Sequence, residues 1–129
     1  MIQTAVTISL VPEVRGGPFV FWEDLAAGCE QAAASGFDAV EIFPPSAEAI
    51  DARELRSLLE KHGLKLAAIG TGAGWVVHKL RLTDPDVKVR RGAHDFIAGI
   101  VNLASGVNPF LPPARTRQWD REPKVRMLA

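Results

Sequence analysis

Apolar and polar positions along this chain alternate between two periods, first about two residues and then about 3.6, and the change recurs three times. Thr4 to Val11 (TAVTISLV) is rich in β-branched residues and stops at Pro12, which predicts a strand. After a Gly/Pro loop at 14–18, Trp22, Leu25, Ala26, Cys29, Ala32 and Ala33 fall on one helical stripe. Glu23 and Asp24 are placed in that helix's first turn, and Gly36 in its left-handed cap. Phe37 to Phe43 predicts a second strand, closed by Pro44-Pro45. A second helix is expected from Asp51, with Glu54 completing a capping box, Leu55, Leu58 and Leu59 inward, and Gly63 ending it. Leu64 to Ile69 reads as a third strand and 70–83 as a long connection. Asp84-Pro85 then reads as the cap and first position of a third helix, whose stripe runs from Val89 to Ala104.

This order predicts an α/β fold of three parallel βα units joined by crossover helices. A fourth apolar strand is due near Val107. Residues 107–129 instead hold four prolines and five basic residues against two acidic ones, a net +3 that leaves −3 on residues 1–106. The expected organisation is therefore three βα units over 1–105 and an irregular Pro/Arg-rich tail over 106–129. Parallel strands are normally buried on both faces. Three strands with helices leave a face or edge for the tail, another chain or the rest of a larger protein to cover.

Composition narrows the class without naming a function. A chain of 129 residues and 14.0 kDa suits one domain, and 47% hydrophobic with 23% charged residues is a globular balance. The formal net charge of zero supplies no whole-chain field for nucleic acid or an anionic membrane, so neither is expected as a partner. A single cysteine, Cys29, no long apolar run and no basic leader make a cytoplasmic location the expectation.

The pattern GFDAVE at 36–41, the HGLKL entry to the third strand, and Thr83-Asp84-Pro85 leading to Arg90-Arg91 resemble the N-terminal part of the sugar phosphate isomerase/epimerase family. These are the xylose-isomerase-like TIM barrels, and the likeness spans about residues 1–104. The resemblance implies a partial barrel of TIM-barrel type, with chemistry at the C-terminal ends of the strands. It also implies a small sugar or sugar phosphate as ligand and a divalent metal such as Mn or Mg in full-length members. The family's metal ligands come from later strands, so no metal position can be carried onto this sequence. The reading is a truncated or frameshifted, catalytically incomplete isomerase or epimerase. The alternative is a non-catalytic α/β module completed by self-association, a homo-oligomer.

Three residues stand out as substrate-binding candidates, and no catalytic residue is assigned. Glu41 alternates with Val40 and Ile42, so it faces away from them; a carboxylate inside a barrel is costly unless paired or used. Its other reading is a carboxylate meeting a basic side chain or solvent. Trp75 and His78 fall in the connection after the third strand, where Trp75 can stack on a sugar and His78 can bond a hydroxyl or phosphate. An aromatic anchor and a solvated histidine are the plainer readings, as surface charge is for Lys79 and Arg81. The glycines of GTGAG at 70–74 match neither a Walker loop nor a dinucleotide fingerprint, because no helix opens directly after them.

Overall fold

The computed structural model describes residues 2–108 and 110. The order along the chain is β1 (Ala5–Ser9), β2 (Phe21–Trp22), α1 (Leu25–Ala34), β3 (Ala39–Phe43), α2 (Ala52–His62), β4 (Lys65–Ile69), α3 (Ala73–Val76) and α4 (Val87–Val107). All strand pairs are parallel, in the order β2-β1-β3-β4. The fold is thus α/β, and the three long strands β1, β3 and β4 lie side by side in chain order.

The helix starts follow from their capping chemistry. Asp24 accepts from the Ala27 N–H at 2.9 Å, Asp51 from Arg53 at 2.8 Å and Glu54 at 3.3 Å, and Asp86 from Lys88 at 2.8 Å. Each satisfies donors that have no partner within the helix. Gly63, at φ +65°, closes α2 in the left-handed region, where a side chain would be strained.

One core lies between the sheet and the helices. Ile8, Val40 and Ile42 meet Cys29 and Ala32 of α1, Leu55 and Leu59 of α2, and Leu103 and Val107 of α4. Because these helices share one core with the same strand residues, they cover one face of the sheet. Ile8, Ile42 and Leu55 are fully buried, each contributing about 1.5–3 kcal/mol. Arg56 of α2 donates to the Gly106 carbonyl of α4, and a Cβ on Gly106 would stand 3.1 Å from that of Ala52, so the two helices pack closely.

A bulge tunes β4. Val40 pairs with Leu66 but Glu41 with Ala68, leaving Ala67 as the extra residue. Without it, strict alternation from Leu66 would put Ile69 on the wrong face. With it, Ile69 stands beside Ile42 and packs on the core.

Several expectations are corrected. Phe21 and Trp22 form a short strand on the outer edge of β1, not the start of a helix, and Glu23 lies outside α1 at φ +66°. The connection after β4 contains the one-turn helix α3. The third long helix starts at Val87, with Asp86 as its cap in place of Asp84. It runs to Val107, beyond the boundary expected at 105. The expected irregular tail lies almost wholly outside the described residues.

Candidate functional site

Strand alternation sends Thr7, Ser9, Ala39, Glu41 and Phe43 to the sheet face opposite the Ile8–Val40–Ile42 core, where Phe43 meets α3 at the C-terminal end. In register, Thr7, Glu41 and Ala68 form one row across β1, β3 and β4. Glu41 is half-buried, and its Oε2 accepts from the Thr7 hydroxyl at 3.1 Å. Ala67 and Ala68 are exposed beside it. The row therefore presents one carboxylate, held on one side by a hydroxyl and open on the other over small side chains. It can accept hydrogen bonds from a polyhydroxylated ligand. Among the described residues no basic side chain forms an ion pair with Glu41, and its hydrogen-bond partner is Thr7, which sequence reasoning passed over. Thr7 shares the parity of Ser9 in TAVTISLV, and that spacing carried the signal.

The other two candidates stand at the C-terminal end of the sheet, in the segment after β4. Its glycines serve packing. A Cβ on Gly70 would lie 2.9 Å from Phe43 Cδ2, one on Gly72 3.2 Å from Phe43 Cε2, and one on Gly74 3.0 Å from Phe96 Cδ1. GTGAG is thus a rail against which two phenylalanine rings lie, in keeping with its mismatch to a phosphate loop. Val11, Phe43 and Ala73 are buried there, with Phe19, Val76, Val77 and Phe96 packed around them. On the opposite connection, Arg15 and Glu23 pair at 2.7 Å.

His78 ties two connections together. Its Nε2 lies 2.8 Å from the Pro45 carbonyl oxygen and its ring 5.4 Å from Phe96. The carbonyl is an acceptor, so Nε2 carries the proton and donates. Trp75 is half exposed, with Lys79 Nζ 5.1 Å and Arg81 Cζ 5.2 Å from its ring centroid. Asp84 Oδ2 accepts from Arg81 Nε at 3.1 Å and Nη2 at 2.7 Å, while Oδ1 accepts from the Asp86 N–H at 2.9 Å. That backbone bond first, and Arg81 second, hold the Asp84 carboxyl below its ordinary range. Trp75 and His78 therefore share one segment, whereas Glu41 bonds to Thr7 and shares no hydrogen bond or ring contact with either.

Among the described residues no three His, Cys, Asp or Glu side chains stand together to hold a metal ion. The described residues thus offer no ligand set that fits the divalent metal of the resembling family. Cys29 is buried in the core, and burial pushes its thiol up, away from nucleophilic character. No described helix is long and apolar enough to cross a membrane. Compared with protein-family models and with curated proteins, the chain matches none.

Proposed function

We propose that residues 1–105 are the N-terminal βα units of a sugar or sugar phosphate isomerase or epimerase of the xylose-isomerase-like barrel type. In this reading they supply a substrate-facing carboxylate, Glu41, but not the metal ligands, and the 129-residue chain is catalytically incomplete. One observation carries the reading. The long strands β1, β3 and β4 run side by side in chain order, with α1, α2 and α4 sharing one core on one face, as in an arc of a barrel wall. In a doubly wound sheet helices cover both faces and crossover helices join the strands on both sides of the reversal. Here the order reverses only at the two-residue β2, which no α-helix joins to β1. On an arc, the row Thr7–Glu41–Ala68 faces the barrel interior, where a sugar hydroxyl would donate to Glu41.

The test is titration of fructose into the 15N-labelled chain, followed by amide shifts, beside an assay for ketose–aldose conversion with Mn²⁺ or Mg²⁺. Weak binding is expected to move the amides of Thr7, Glu41 and Ala68, to disappear in Glu41→Gln, and to come without turnover. Shifts confined to other residues would remove Glu41 from the site, and turnover would refute the incompleteness.

The face opposite the helices also favours a second reading, a module whose sheet is covered by another copy of the chain. Parallel sheets are rarely left with one face in water.

A further inference from the structure

Residues 78–91 hold five Lys or Arg against two Asp in a chain of zero net charge, and at the start of this run two cations converge on one exposed indole. We propose that Trp75, Lys79 and Arg81 form a binding site for a single phosphate group, borne by a phosphorylated small molecule. The site is separate from the Glu41 row and does not rest on the isomerase reading.

Three features support it. First, the guanidinium is pre-aimed: Asp84 takes Nε and Nη2 of Arg81, which leaves Nη1 for an outside acceptor on a side chain that is 55% exposed. Second, the Lys79 ammonium gives one hydrogen bond to the Val76 carbonyl at 3.0 Å and keeps two donors. A fork and a point charge over one ring together suit a compact dianion. Third, Lys79 sits at φ +56°, in the left-handed region where glycine is the least costly residue. It does so at the end of α3, in a segment otherwise fixed by bonds such as Leu80 N–H to the Gly74 carbonyl at 2.7 Å. Strain kept in a well-bonded segment for a side chain that reaches the Val76 carbonyl and the exposed Trp75 ring points to use of that side chain. With Asp84 paired to Arg81, the positive charge left over Trp75 is small, which suits one phosphate and not the phosphate row of a nucleic acid.

The test is titration of the full chain with inorganic phosphate at constant ionic strength, set by chloride, with tryptophan emission as readout. A saturable change with a midpoint on the order of millimolar is expected, as for a very small ligand on an exposed surface. It should vanish in Trp75→Phe although Trp22 and Trp119 remain. Glucose 6-phosphate should reproduce it and glucose should not. Lys79→Gly is the decisive variant, because it removes the ammonium and relieves the backbone together. The midpoint should rise about fivefold or more while the melting temperature stays level or increases. A lower melting temperature with an unchanged midpoint would make Lys79 structural and overturn the proposal. So would a linear response, an equal response to glucose, or a signal that survives Trp75→Phe.

Discussion

At Asp84 one carboxylate joins two neighbours: Oδ1 fixes the backbone before α4, and Oδ2 holds the Arg81 fork. The side chain is 10% exposed, and both bonds favour its charged form. Its folded pKa therefore lies below the unfolded one, roughly 3.9. The sign follows directly: the stability it supplies is present above the unfolded pKa and is lost as pH falls through the folded pKa. Asp84→Asn should lower the urea midpoint by a constant amount from about pH 5 to neutrality. The gap to the parent chain should close progressively below about pH 4. A gap that does not change with pH would mean that the side chain acts by shape alone. The sequence placed Asp84 as a helix cap, and the structure moves that role two residues on, to Asp86. Both dipeptides, Asp84-Pro85 and Asp86-Val87, satisfy the local rule for a helix start. What separates them is Arg81, an i,i+3 partner that draws Asp84 away and that no helix-start rule weighs.

Local rules served better for whole elements. Strand alternation and helical stripes located β1, β3, β4, α1, α2 and α4 to within a few residues, because each turns one face to the same core, β4 through the partly buried Leu66 and Ile69. The misses are elements made by tertiary contact. β2 is two residues long and exists through pairing with Ile8 and Ser9. α3 is a single turn, held by the rings of Phe43 and Phe96. Its glycines looked like a phosphate loop by composition, and only the ring positions show that they are gaps cut for aromatics. Glu41 could be found by parity, whereas its partner Thr7 needed the register of β1 on β3. The packing reading makes a sharp demand on Gly70→Ala, whose new methyl would meet Phe43 at 2.9 Å. The variant should lose about 1–3 kcal/mol by urea denaturation, the usual cost of overpacking a fitted site. Adding Phe43→Leu should recover part of that loss, since the clash is with the ring. If the double variant falls by the sum of the two single losses, Gly70 is not there for Phe43.

At the scale of the whole molecule the question is what the sheet does with its second face. An exposed apolar patch would force association by the hydrophobic effect, yet among the described residues no strand position of that face is a large exposed hydrophobic. The face instead shows Thr7, Glu41, Lys65, Ala67 and Ala68. Small side chains let another backbone layer approach closely, and the outer edge of β4 offers backbone donors and acceptors for a further strand. Any self-association there should therefore be reversible and dependent on concentration, without the irreversible aggregation of a torn core. Sedimentation across a concentration series should show a monomer–dimer equilibrium in the 129-residue chain. Ala68→Arg, at an exposed position of the central row, should shift it to monomer without lowering the melting temperature. A chain that is monomeric throughout the series would remove the self-associating module and leave the barrel-wall reading alone. A dimer that ignores Ala68→Arg would place the contact elsewhere, on the helices or beyond the described residues. A dimer dissolved by that single substitution would put the Glu41 row inside the interface, where a sugar and a second copy would compete for the same carboxylate.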